Sequence, residues 1–225
     1  MMLIELPHGV QSEVHVHSPQ HADKLAVLLH PHGFFGGQMR DPVLASMKSL
    51  LDQHRYHSLT YNRRGVGSST GWPSMSGAPE ANDLKALVDW AVGELGPIDH
   101  ILIVGYSQGA LVSSLFGPHP TIPTSYLFLS YPLGVRGVLT LFRGKSYEDA
   151  LNALIATGSQ IFIVYGTSDQ FTGVAKYDDW ASQFSSCNNV LVKRVEGADH
   201  FWRGSLSREV QDVLNTWLQG VKAAR

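Results

Sequence analysis

The sequence predicts an α/β protein: a doubly wound, mostly parallel sheet with helices on both faces. Three observations carry this. Segments of strand character alternate with helix-forming segments along the chain, the order expected when parallel strands are joined by helical crossovers. The central strands are unbroken apolar runs, Leu25-Ala26-Val27-Leu28-Leu29 and Ile101-Leu102-Ile103-Val104, as burial on both faces requires. The second run leads directly into Gly105-Tyr106-Ser107-Gln108-Gly109 and then into Ala110-Leu111-Val112, which reads as a sharp turn from strand to helix.

The elements follow in order. Met2–Pro7 and Gln11–His17 read as edge strands joined by a His8-Gly9 turn, and Leu25–His30 as a buried strand. Asp41–Gln53 reads as one helix with Val43, Leu44, Met47, Leu50 and Leu51 on a face, followed by a strand at Tyr56–Tyr61. Pro79–Leu95 carries Leu84, Leu87, Val88, Ala91 and Leu95 at helical spacing. A strand at His100–Val104 precedes the Ser107 turn and its helix. Strands at Ser125–Leu129, Gln160–Tyr165 and Asn189–Val195, with a helix near Ala175–Phe184, continue the alternation. Leu206–Leu218 is the last helix, its apolar side formed by Val210, Val213, Leu214, Trp217 and Leu218. No internal repeat or linker interrupts the pattern, so residues 1–225 are expected to form a single domain.

Composition narrows the class. The formal net charge of -2 gives no bias toward nucleic acid or anionic membrane. The lone Cys187 excludes an intramolecular disulfide and fits a reducing compartment. Met1-Met2-Leu3-Ile4-Glu5 is charged too early for a signal peptide, and no apolar stretch approaches a membrane span. A cytoplasmic protein is expected, a monomer or homodimer.

Chemistry concentrates at three strand ends. Ser107 sits between Gly105 and Gly109 in the form of a nucleophile elbow, where a strained turn and close backbone neighbours exclude β-carbons. A second match, Gly67-Ser68-Ser69-Thr70-Gly71, has neither a strand directly before it nor a helix directly after, so context selects Ser107. A serine hydroxyl needs a base to take its proton, and the base needs a third group to fix its tautomer. Asp169 follows the apolar run Ile161–Tyr165 through Gly166-Thr167-Ser168, and His200 follows the last strand through Glu196-Gly197-Ala198-Asp199. Asp199 adjoins His200 in sequence, but neighbouring side chains diverge, which leaves it a surface role. The expected oxyanion donors are the backbone N–H of Gln108 and that of Phe34, in the glycine-rich loop His30-Pro31-His32-Gly33-Phe34-Phe35-Gly36-Gly37. The competing reading of His30 and His32 as metal ligands lacks assignable third and fourth ligands. No metal and no cofactor are expected.

Taken together, His32-Gly33, Asn62-x-Arg64-Gly65-Val66-Gly67-Ser68, Gly105-x-Ser107-x-Gly109, Gly166-x-x-Asp169 and Asp199-His200-Phe201 resemble the α/β-hydrolase superfamily. The resemblance spans nearly the whole chain and is closer to small lidless hydrolases near dienelactone hydrolase. It implies an eight-stranded sheet with one antiparallel strand, no large cap domain, and esterase-like activity on acyl substrates. Dienelactone hydrolases proper use a cysteine nucleophile, and Ser107 departs from that pattern, which argues against a dienelactone substrate. Arg64 is the motif arginine, either a loop brace or a substrate contact.

The resulting expectation is a serine hydrolase that cleaves a carboxylic ester or related small acyl compound through a Ser107, Asp169, His200 triad. The short lid-like segment at about 131–159 either packs as a core-facing helix or walls an acyl pocket. Phe35, Tyr106, Leu139, Phe142 and Trp202 are the expected substrate contacts. Arg136, Arg143 and Lys145 either meet an acidic substrate or face water. Two other classes share these residues: a small-molecule receptor on a hydrolase scaffold, and a cofactor-free biosynthetic enzyme acting on C–C bonds.

Overall fold

The structure is a computed structural model that describes residues 1–74, 76–139, 144–204 and 206–223. Its strands are β1 (Met2–Glu5), β2 (Gln11–His17), β3 (Lys24–Leu29), β4 (Tyr56–Tyr61), β5 (His100–Tyr106), β6 (Thr124–Leu129), β7 (Ile161–Gly166) and β8 (Val190–Val195). They form one eight-stranded sheet in the order β1-β2-β4-β3-β5-β6-β7-β8. Antiparallel pairing is confined to β1–β2 and β2–β4, and every other neighbour pair is parallel. The mostly parallel α/β sheet is therefore as the sequence predicts.

Alternation along the strands divides the apolar side chains between two cores. On one face Leu25, Val27, Leu29, Ile101 and Ile103 pack with Leu84, Leu87 and Val88 of α3 (Ala78–Glu94) and Leu111 of α4 (Gln108–Ser114). On the other, Ala26, Leu28, Leu102 and Val104 meet Leu44, Leu51, Val210, Leu214 and Trp217. The last three residues lie on α8 (Leu206–Ala223). This two-sided burial is why the central strands read as unbroken apolar runs. Among the described residues, no helix is long and apolar enough to cross a membrane.

The helix expected over 41–53 is two helices, α1 (Pro42–Ser46) and α2 (Lys48–Gln53). Asp41 caps the first by accepting from Val43 N, with Pro42 in the first turn. The break at Met47 has a local cause. Ser46 Oγ donates back to Val43 O at 2.7 Å, and Met47 N donates to Leu44 O at 3.2 Å, a tightened last turn. Met47 stays fully buried, so the apolar face survives the break.

Between β6 and β7 lie α5 (Arg136–Leu139) and α6 (Gly144–Ala156). Tyr147, Leu151 and Leu154 of α6 are buried in the first core, so this helix of the segment faces the core. Arg136 pairs with Glu148, and Lys145 with Asp149 one turn away. Phe142 and Arg143 lie outside the described residues. The remaining helix, α7 (Val174–Ser182), follows β7.

The close approach of α4 to β5 rests on Gly105. A β-carbon there would stand 2.5 Å from Ala110 Cα and 2.6 Å from Ser113 Oγ. Gly105→Ala is therefore expected to cost about 1–3 kcal/mol through overpacking. The measurement is urea unfolding, with a lower midpoint at unchanged m-value; a wild-type midpoint would contradict the packing argument.

Candidate active site

Ser107 lies where β5 ends and α4 begins, with φ 56° and ψ −121°. A non-glycine residue in this region is strained, typically by about 1–3 kcal/mol, and needs surrounding structure to hold it. Ser107 N donates to Leu129 O at 2.9 Å, and Ala110 N donates to Ser107 O at 2.9 Å. On the other side, a β-carbon at Gly109 would run into the backbone of Leu29 and His30. The turn thus lifts the serine hydroxyl above the C-terminal edge of the sheet while α4 presses against β3 and β5.

The Asp169 and His200 loops leave the same edge. Ser168 N donates to Ala198 O at 2.9 Å and Thr167 N to Val195 O at 3.0 Å, which binds the two loops side by side. His200 Nδ1 lies 2.7 Å from Asp169 Oδ2, and His200 Nε2 lies 3.0 Å from Ser107 Oγ. A carboxylate oxygen only accepts, so the proton belongs on Nδ1 and Nε2 is left to accept from the serine. The structure brings the three expected residues into one buried hydrogen-bonded chain.

Each member is held from behind. Asp169 Oδ1 accepts from Phe171 N at 2.8 Å and Thr172 N at 3.0 Å, and Oδ2 also accepts from Tyr177 OH at 3.3 Å. Burial pushes the Tyr177 phenol well above its usual range, so this hydroxyl stays a donor. His200 N donates to Gln170 Oε1 at 3.0 Å, and Tyr106 OH donates to His200 O at 2.8 Å. The Phe171 ring stands edge-on to the imidazole at 4.5 Å. Asp199 does not join this chain; its Oδ1 accepts from Phe201 N and Arg203 N and caps the turn.

Two of the expected substrate contacts lie in the core. Tyr106 is buried in the core with its hydroxyl on His200 O, because alternation along β5 sends it to the face opposite the turn. Trp202 is equally buried, and its Nε1 donates to Ser130 Oγ at 3.0 Å. Neither is among the residues that line the cavity beside Gln108. Phe35 is 83% exposed, with its ring 5.2 Å from that of His32. Leu139 does line a cavity of about 380 Å³ next to Gln108, together with Leu111, Val112, Val66 and Tyr147.

Gln108 is the first residue of α4, and Phe34 lies within the 3-10 turn Gly33–Phe35. Phe35 N and Gly37 N both donate to His32 O at 3.1 Å, folding this loop tightly. His30 braces it: Nδ1 donates to Pro31 O at 2.6 Å, and Nε2 accepts from Arg63 N at 3.1 Å. Burial, and then the Arg63 charge, hold His30 well below the usual imidazole range, so it is neutral with both nitrogens committed inside the protein. Arg64 is a brace as well, forked onto Asp83 of α3 through Nε–Oδ2 and Nη2–Oδ1, the latter 2.8 Å. Residues not expected from the sequence are Tyr106, Tyr177 and Gln170 as supports, and Arg63, whose guanidinium is buried beside Gln108.

Comparison with known proteins agrees with this geometry. A sequence profile of the family described as alpha/beta hydrolase fold matches residues 26–123. An alpha-beta serine hydrolase homologue from Coxiella burnetii is 25% identical, with a TM-score of 0.77 over 96% of this chain and 95% of that one. A serine hydrolase without lid from Xanthomonas campestris shares the fold at 19% identity and TM-score 0.70, covering 97% and 91% of the two chains. An esterase of Pyrococcus furiosus does so at 19% identity and TM-score 0.75, covering 97% and 90%. By strand order, elbow geometry and a profile match over residues 26–123, this chain has the α/β-hydrolase fold and is similar in sequence to that family.

Proposed function

We propose that this protein is a serine hydrolase that cleaves a carboxylic ester or related acyl compound through an acyl-enzyme. The observation that carries the reading is the unbroken hydrogen-bonded chain Ser107–His200–Asp169 at the end of a strained turn. The Pyrococcus furiosus esterase of the same fold supports it.

In this reading His200 Nε2 takes the Ser107 proton as Oγ bonds to the substrate carbonyl carbon. Asp169 stabilises the imidazolium that forms and keeps its orientation. The backbone N–H groups of Phe34 and Gln108 receive the oxyanion. Collapse breaks the bond to the leaving alcohol, which takes the proton from His200. A water molecule, deprotonated by the same nitrogen, then releases the carboxylic acid and restores Ser107. The acyl group occupies the cavity beside Gln108, whose Leu111, Val112 and Leu139 give it an apolar wall; its volume lies within the range of small-molecule sites.

Ser69, the serine of the other pentapeptide, is a structural residue. Its Oγ donates to Asn62 O at 2.6 Å and accepts from Glu13 N at 2.8 Å. A fluorophosphonate probe is therefore expected to label Ser107 alone. Ser107→Ala should abolish labelling and lower turnover by about a millionfold, by analogy with serine proteases. Ser69→Ala should keep labelling while losing about 1 kcal/mol of stability. A mass map placing the label on Ser69 would overturn the assignment.

The acid is tested by a pair of substitutions. Asp169→Asn favours the wrong His200 tautomer and should lower kcat on the order of ten-thousandfold, with the fold retained by circular dichroism. Asp199→Asn should change kcat by less than about tenfold, because its carboxylate caps a turn and faces Arg203, not His200. Reversed magnitudes would move the acid to Asp199. Chelation should leave turnover unchanged, since His30 has no free ring nitrogen; a divalent ion restoring activity lost to EDTA would reinstate the His30/His32 metal reading.

A further inference from the structure

Asn62-Arg63-Arg64-Gly65 places two arginines side by side just after β4, and they part company. Arg64 turns to Asp83 on α3. Arg63 turns inward and is only 6% exposed. A cation so buried needs compensation, and opposite charge at close range is the usual source. Here the guanidinium is met by neutral oxygens instead. Nη2 donates to His30 O at 3.0 Å, to Pro31 O at 2.7 Å and to Gln108 Oε1 at 3.0 Å. The nearby Glu80 carboxylate is occupied by Ser74, through Ser74 N at 2.5 Å and through Ser74 Oγ. Arg63 Nε is buried and has no hydrogen-bond partner.

The choice of partners is informative. His30 and Pro31 lead into the turn that carries Phe34, and Gln108 directly follows Ser107. These are the two segments whose backbone N–H groups are assigned to the oxyanion. They come from separate loops, and one guanidinium head spans them. The Arg63 backbone adds a further tie, because its N–H donates to His30 Nε2 at 3.1 Å.

We propose that Arg63 is the positioning residue of the oxyanion hole, fixing the spacing between its two backbone donors and placing a positive charge behind them. The inference rests on the serine-hydrolase reading above. Donors fixed in advance need no reorganisation when charge develops on the carbonyl oxygen. A misplacement of about 1 Å in such a site costs about a hundredfold in rate. The charge acts in the same sense, favouring the anionic tetrahedral intermediate over the neutral ester. All three oxygens are met by the single nitrogen Nη2, whose two N–H groups are shared among them; lysine would keep the charge but end on a shorter stem that stops short of this position.

The test compares Arg63→Met, Arg63→Lys and Gln108→Met with the wild type on an activated ester. It also measures inhibition by an alkyl trifluoromethyl ketone, which forms a tetrahedral adduct. Arg63→Met is expected to lower kcat by about 10–100-fold with KM within about threefold, and to weaken the ketone by the same factor as kcat/KM. Arg63→Lys should recover only part of that loss. Gln108→Met keeps its backbone N–H and cuts the tie from one side, so it should lower kcat in the same direction by about 3–10-fold. It also serves should the Arg63 variants fail to fold. Guanidinium ion at millimolar concentration should partly restore an Arg63→Ala protein, and urea should not. Wild-type kcat in folded Arg63→Met and Gln108→Met would overturn the proposal, as would equal effects on the ketone and on a carboxylic acid product analogue. A wild-type protein whose Ser107 takes no fluorophosphonate fails earlier: that result removes the hydrolase reading and this proposal with it, and is separable from loss in the variants alone.

Discussion

The strained turn at Ser107 is the constraint on which the rest of the site depends. A residue with a side chain holds a positive φ there because both flanks are glycines pressed against other backbone, Gly105 on α4 and Gly109 on β3. Strain of this kind persists only where packing over-determines it. The packing comes from a sheet whose central strands are covered on both faces, so α4 cannot drift away from β5. One bend sets three things at once: the exposure of Oγ to His200, the direction of the first amides of α4, and the seat of the cavity beside Gln108.

Around that bend the protein spends polar contacts on orientation. Asp169 receives two backbone N–H groups and a phenol besides the imidazole, and these hold its carboxylate facing His200. The His200 backbone is fixed at both its N–H, by Gln170, and its carbonyl, by Tyr106. The opposite wall is organised by cations, Arg64 tying its loop to α3 and Arg63 joining the elbow to the His30–Pro31 segment. Preorganisation is distributed over five loops, and none of these supports needs to touch a substrate.

The sequence made some of this legible for physical reasons. Burial on two faces forces apolar runs, and parallel crossovers force alternation, so the sheet and most helices could be read directly. The Ser107 turn was legible because close approach forces glycine at 105 and 109. Asp169 and His200 followed from their places just after strands. The helix over 41–53 was misread at Met47 because a break made by a serine back-bond leaves the apolar periodicity intact. The burial of Tyr106 and Trp202 was not legible, because adjacency to the site in sequence says nothing of which face a side chain takes; Trp202 additionally has φ 52°, a reversal no pattern announces. Arg63 went unremarked because an arginine in a polar loop ordinarily faces water, and its burial exists only once three separate segments converge.

The central claim is that Ser107 is an acylated intermediate's attachment point, and the most direct measurement is rapid-quench mass spectrometry of the intact protein during the first turnovers on an activated ester. The account predicts a transient species heavier by one acyl group in place of a hydrogen, with the adduct on the peptide that contains Ser107. Turnover without any adduct, or an adduct carried by another residue while hydrolysis proceeds, would contradict it.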